Sequence, residues 1–227
     1  MKKTLIFAMT MTMTMAFCQV RKSQVFNIDE NLNYCVAQAT KTLATTSDSL
    51  AIPRNIAPGS DKWNYVGYED WTSGFWPGIL WYLYEYTGEV KWKTQADKYS
   101  RILTPLSVRS ATDHDLGFQI YCSFGNGFRL TKNQEYKEII LKTADTLATL
   151  FNPKVGTIQS WPHNKMGGHN TIIDNMMNLE LLFEASKISG NPKYRDVAIQ
   201  HANTTLKNQF REDNSCYHVI VWFRALG

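Results

Sequence analysis

The chain lacks most of the short motifs that announce a chemistry. It contains no C-x-x-C pair and no H-E-x-x-H or comparable ligand spacing, so neither a zinc site nor any other catalytic metal is expected. It has no G-x-S-x-G turn, no glycine-rich phosphate loop and no dinucleotide fingerprint. Cysteine is scarce: beyond Cys18 only Cys35, Cys122 and Cys216 remain, an odd number that builds no disulfide framework. Charge is sparse as well, at 19% of residues, and its basic members are dispersed rather than striped, which excludes a nucleic-acid partner. After the N-terminal segment no run is long and apolar enough to span a membrane.

What is present is apolar and aromatic. Of 227 residues 44% are hydrophobic and 13% aromatic, which describes a globular chain with a substantial core. Residues 1–18 read as a secretory signal: Lys2 and Lys3 form a basic head, a run from Leu5 to Phe17 is broken only by small Thr residues, and Ala16 and Cys18 supply small residues before a cleavage at Gln19. The protein is therefore expected to be exported, periplasmic or secreted. Cys18 could instead accept a lipid, but Phe17 directly before it fits that poorly.

Helical periodicity dominates the rest. Residues 29–43 carry Leu32, Val36, Ala39 and Leu43 on one face, and a Pro- and Gly-bearing loop over 45–72 follows. Further helices are expected near 73–87, 91–104, 114–129, 133–151, 171–189 and 192–210, and no run reads as part of a β-sheet. The stretches EYTGEVKWKTQA, RLTKNQEYKEII and KISGNPKYRDVA share one design: a helix ends in a Thr/Ser-containing turn and an aromatic opens the next. Those aromatics are Trp92, Tyr136 and Tyr194, spaced by 44 and 58 residues, about what a helical hairpin with its loops occupies. Gly88 and Gly190 stand where left-handed helix caps are needed, and Pro192 fits a first turn.

Two aspartates stand out on this background. In TDHDLGFQIYCSFGNGF, Asp115, Gln119, Cys122 and Asn126 make a polar stripe along an otherwise apolar helix, which must face a cavity, water or a partner helix. Asp113 or Asp115 could alternatively cap that helix, where its dipole favours an ionised carboxylate. In GGHNTIIDNMMNLELLFEAS, Asn170 reads as an N-cap, and Asp174 and Asn178 lie one turn apart among Ile, Met and Leu. A carboxyl in such company is either a satisfied core group or a general acid, because desolvation favours its protonated form. Two carboxyls facing one cavity suit sugar hydrolysis. Trp76 beside Pro77 at a helix start, and Trp161 in a loop before the Asp174 helix, are placed to stack on a ligand, whereas Trp81 and Trp92 read as core. His114, His163 and His169 accompany the aspartates as polar pocket or loop residues.

TSGFWPGILW, HDLGF and IIDNMMNLELL, in that order, resemble the unsaturated glucuronyl hydrolases of glycoside hydrolase family 88, and the resemblance runs from Asn27 to Ile220. It implies an all-α (α/α)6 toroid. It also implies an enzyme that removes a 4,5-unsaturated uronic acid from the non-reducing end of lyase-generated, glycosaminoglycan-type oligosaccharides. The family hydrates the C4=C5 vinyl ether: a carboxylic acid protonates C4, water adds at C5, and the resulting hemiketal opens and releases the aglycone. Carried over, Asp174 becomes the general acid/base and Asp115 the opposed carboxylate, Trp76 and Trp161 stack on the sugar, His114 and His218 line the site, and no cofactor is required. The chain is shorter than the family's domain, and VWFRALG at 221–227 diverges from it, so the toroid is expected to be incomplete, with about seven of its twelve helices. An unsaturated rhamnogalacturonyl hydrolase, or a non-catalytic remnant that at most binds sugar, are the competing readings. Oligomeric state is not legible.

Overall fold

The computed structural model describes residues 27–46, 51–163 and 167–223. The expected signal at 1–18 lies outside them. Eight α-helices carry the architecture of this part: α1 (Ile28–Thr45), α2 (Phe75–Thr87), α3 (Val90–Ile102), α4 (Leu116–Ile120), α5 (Asn126–Thr131), α6 (Gln134–Ala148), α7 (Leu179–Ser189) and α8 (Pro192–Gln209). A π-helical turn, Tyr121–Gly125, joins α4 to α5. Local chemistry sets the ends. Asn27, Asn133 and Asn191 accept backbone N–H groups of the first turns of α1, α6 and α8, leaving fewer orphan donors there. Gly88 and Gly190 end α2 and α7 in the left-handed conformation that a Cβ would penalise, as the sequence suggests.

The helices form two rows. Helices α2, α4 with its π turn, and α7 pack side by side, and α3, α6 and α8 back them, with α2–α3 and α7–α8 as antiparallel hairpins. The dry seam between the rows holds Trp81, Trp92, Tyr99, Phe124, Leu147 and Leu182, all fully or almost fully buried. The three repeat aromatics occupy one equivalent place. Trp92, Tyr136 and Tyr194 each sit in the first turn of a backing helix and are buried. The Tyr136 hydroxyl donates to Asp97 of α3, and the Tyr194 hydroxyl donates to Asp145 of α6 at 2.8 Å. α6 is thus latched to α3, and α8 to α6.

The structure corrects the expectation that no strand is present. Three two-stranded antiparallel ladders occur among the described residues: β1 (Ile52–Ile56) with β2 (Trp63–Val66), β3 (Phe151–Asn152) with β4 (Thr157–Ile158), and β5 (His169–Ile172) with β6 (Val219–Trp222). The first ladder lies within the expected loop at 45–72. The third replaces the start of the helix expected over 171–189: after β5 the chain makes a 3-10 turn, Ile173–Asn178, before α7 begins. Asn170 is accordingly no N-cap. Its Oδ1 accepts the N–H of Trp161 at 2.8 Å, and its Nδ2 donates to the Trp161 carbonyl at 3.0 Å. Val221 and Trp222, expected to begin a divergent tail, are paired with β5 in register with Asn170 and His169.

Candidate functional site

The site is built where the N-terminus of α4 meets the 3-10 turn before α7. His114 precedes α4 and is held by its own N–H, which donates to the Ser160 carbonyl at 3.0 Å. Asp115 follows, and its N–H donates to Asp113 Oδ1 at 3.0 Å, so Asp113 makes the local capping contact while the Asp115 side chain caps nothing. Asp174 is brought alongside by the 3-10 turn, whose first residue, Ile173, donates its N–H to the His218 carbonyl at 2.9 Å. One polar atom each from His114, Asp115 and Asp174 lies within 4.8 Å of the others. The two carboxyls read as facing one cavity lie side by side, and His114 stands with them.

Burial decides how these groups ionise. The His114 ring is 1% exposed, and desolvation holds its pKa below the ordinary histidine value, against the opposing pull of Asp174, Asp113 and Asn175. Desolvation also lifts Asp115, to about 7, assisted by the negative charges of Asp113, Asp174 and Asp70 and opposed by Arg109. This reverses the expectation that the helix dipole keeps Asp115 ionised. Burial among three other carboxylates outweighs the terminus of a five-residue helix. Asp174 Oδ1 is buried without a hydrogen-bond partner, a costly state for a polar oxygen unless a ligand atom meets it.

His114 connects the pair to a buried amide network. Its Nε2 lies 3.3 Å from Asp115 Oδ1, and its Nδ1 lies 3.0 Å from Asn178 Nδ2. A cation at Nε2 would need that nitrogen bare and a proton on Nδ1, which would then point at another N–H donor. The ring in that tautomer is thus poorly suited to ligate a metal through Nε2.

Aromatic walls border these groups, but not all the expected ones. Trp161 lies edge-on to His114 with ring centroids 6.2 Å apart. Trp76 does not reach the site: it is 6% exposed, packed edge-on against Tyr99 in the inter-row seam. Its place at a helix start suggested access, but that turn of α2 points inward. The accessible indole is Trp71, 49% exposed and resting edge-on against Phe75 and Phe118, which stack on each other. Its signal in the sequence was its position in the turn before α2, beside Asp70, whose charge acts on Asp115. The His218 side chain is exposed and its backbone braces the Asp174 turn. The polar stripe below Asp115 is spent on structure. Gln119 Nε2 donates to the Asp70 carbonyl and to Ser73 Oγ, at 2.8 and 3.0 Å, and Asn126 Nδ2 donates to the Cys122 carbonyl at 2.9 Å. A separate groove of about 520 Å³ along α8, lined by Ile199, Asn203 and Lys207 among others, includes none of the site residues.

Two carboxyls, one of them protonated near neutrality, beside indole walls on stacked helical hairpins form the constellation of a glycoside hydrolase. The chain belongs to Glycosyl Hydrolase Family 88, whose model matches residues 34–220. It is 48% identical over 177 residues to an unsaturated glucuronyl hydrolase of Formosa agariphila, covering 77% of this chain and 44% of that one. It is 38% identical over 161 residues to an unsaturated chondroitin disaccharide hydrolase of Streptococcus pyogenes serotype M1, covering 70% and 40%. Among solved structures it superposes on an unsaturated glucuronyl hydrolase specific for heparin with a TM-score of 0.80 and 38% identity, covering 85% of this chain and 51% of that one. The fold is therefore part of that family's helical toroid, as the expected incomplete toroid requires, and the chain spans about half the length of the relatives it matches. No helix among the described residues is long and apolar enough to cross a membrane.

Proposed function

We propose that this chain carries the carboxyl pair of an unsaturated glucuronyl hydrolase, acting on oligosaccharides that a lyase has left with a 4,5-unsaturated uronic acid at the non-reducing end. The observation that carries this reading is the gathering of His114, Asp115 and Asp174 within 4.8 Å, with Asp115 holding its proton up to about pH 7. A vinyl ether needs an acid at C4 and a base for the water that adds at C5, and a carboxyl pair sharing one proton can serve both in turn. Asp174, with one buried oxygen awaiting a partner, is assigned the relay of the shared proton from Asp115 to C4, and then takes a proton from the water that adds at C5, which restores the pair. Asp115 is neutral as the anionic uronate enters, which keeps the site from accumulating negative charge, and becomes a carboxylate when its proton passes to Asp174 and on to C4. Protonation at C4 leaves a C5 oxocarbenium ion. Water closes it to a hemiketal, and ring opening then releases the aglycone. Trp161 and Trp71 offer faces for the sugar, and His114 and His218 border it. No cofactor enters these steps.

Glycosaminoglycan-type substrates are favoured because relatives at 48% and 38% identity are a glucuronyl hydrolase and a chondroitin disaccharide hydrolase. A Streptococcus agalactiae glucuronyl hydrolase variant of the same fold, TM-score 0.64 and 26% identity, was solved with dGlcA-GalNAc6S. Export is part of the same proposal and rests on the basic head and apolar run of residues 1–18.

The test is loss of the substrate's ultraviolet absorbance when the folded chain meets unsaturated chondroitin or heparin disaccharides. Turnover that disappears in Asp174→Asn while binding persists supports the assignment. Binding without turnover in the unaltered chain would instead establish a sugar-binding remnant.

A further inference from the structure

The carboxyl pair is not held by the helices alone. Behind it runs a chain of fully buried polar side chains: Ser160, Asn175, Asn178 and His114. Both amides in this chain are fixed by backbone groups that can play only one role. Asn178 Oδ1 accepts the N–H of Phe118 at 3.0 Å, and a backbone N–H can only donate. Asn175 Nδ2 donates to the Ile158 carbonyl at 2.9 Å, and a carbonyl can only accept. Asn175 also donates to Ser160 Oγ at 2.9 Å, so its Oδ1 is the end that faces Asn178 Nδ2, 3.1 Å away. Neither amide can turn over without setting donor against donor or acceptor against acceptor. The remaining donor of Asn178 therefore points at His114 Nδ1, 3.0 Å away.

We propose that Asn178 is a positioning residue for the carboxyl pair: it fixes His114 with Nδ1 bare and Nε2 protonated, so that the ring donates to Asp115 Oδ1 and confines the Asp115 acid proton to Oδ2. The donated hydrogen bond spans the 3.3 Å between Nε2 and Oδ1. An oxygen already accepting that N–H is the poorer place for a second proton, which selects the other oxygen. The anchor is built into the backbone as well. A Cβ on Gly117 would lie 2.3 Å from Asn178 Oδ1, so the amide reaches Phe118 N–H only because position 117 has no side chain. Two sequence-distant segments, 114–118 and 175–178, are thereby registered against each other at the atom that sets the ring's tautomer. The tautomer stands on hydrogen-bond geometry alone; its consequence for turnover rests on the reading under Proposed function.

The experiment is 15N NMR of the full chain with labelled histidine at neutral pH, the His114 resonances being assigned by their loss in His114→Gln. A protonated Nε2 and a bare Nδ1 are expected, and a proton on Nδ1 would overturn the proposal whether or not the chain turns over any sugar. In Asn178→Asp the carboxylate can only accept, so the proton should move to Nδ1. In the same variant kcat on an unsaturated disaccharide should fall on the order of 100-fold with KM nearly unchanged. An unaltered tautomer in that variant, or a shifted tautomer with unaltered kcat, would remove Asn178 from the role. If the unaltered chain shows no turnover at all, the spectrum still decides the tautomer, and only the functional reading fails.

Discussion

Asn178 Oδ1 occupies the space where a side chain on Gly117 would begin, 2.3 Å from the ideal Cβ position. Gly117→Ala is expected to push the amide off Phe118 N–H and to destabilise the chain by about 1–3 kcal/mol, the usual range for forced overpacking. Chemical denaturation measures it. A neutral substitution would mean that the turn before α7 can yield at no cost.

Asp115 gives the chain an unusual pH dependence. Its carboxyl titrates at about 7 when folded and near 3.8 when unfolded, so between those values the folded state holds the extra proton. Stability from this group is therefore lost as pH rises from about 4 through 7, by at most about 4 kcal/mol. Asp115→Asn should abolish that component. The check is the difference between the two stability-versus-pH curves, which should open above pH 4 and level off above pH 7 with the unaltered chain the less stable.

His201 works in the opposite direction. Its Nδ1 accepts the Ile158 N–H at 2.9 Å, its ring is buried, and desolvation, with the His114 and His169 rings adding, drops its pKa to about 4. The unfolded chain binds the proton first, so this contribution is present above about pH 6.5 and is lost as pH falls through 4, worth about 3 kcal/mol. The two windows overlap and the contributions oppose, so His201→Gln should make stability fall more steeply as pH rises between about 4 and 6.5, where the Asp115 loss is no longer offset.

The two indoles near α2 should separate binding from stability. Trp76→Ala, which empties a buried site, is expected to cost about 3–5 kcal/mol. Trp71→Ala, at a half-exposed position, should leave the unfolding midpoint nearly unchanged and weaken binding of an unsaturated disaccharide by about 1–2 kcal/mol, read by calorimetry. Equal effects on stability would contradict the difference in burial.

Much of the fold was legible because its signals are local. Helix spacing, the aromatics that open α3, α6 and α8, and the glycine caps at 88 and 190 all act within a few residues of where they are read. What escaped was set by distant partners. β5 is buried along its whole length and shows no alternation, and its mate lies about fifty residues on, with His169 opposite Trp222. Asn170 carries the residue type of a cap but spends its amide on Trp161. Asp115 was legible as a site residue, but not its protonation, which depends on Asp70 and Asp174 arriving from other segments. Trp76 and Trp71 differ by five positions in sequence and by a core against a surface in space.

The hydroxyl latches from Tyr136 to Asp97 and from Tyr194 to Asp145 have a consequence for synthesis. Each acceptor precedes its donor in the chain, so α6 and α8 each find the anchor already in place when the chain emerges N-terminus first. The array can therefore grow in the order of translation, one hairpin docking on the last, without waiting for its C-terminal end.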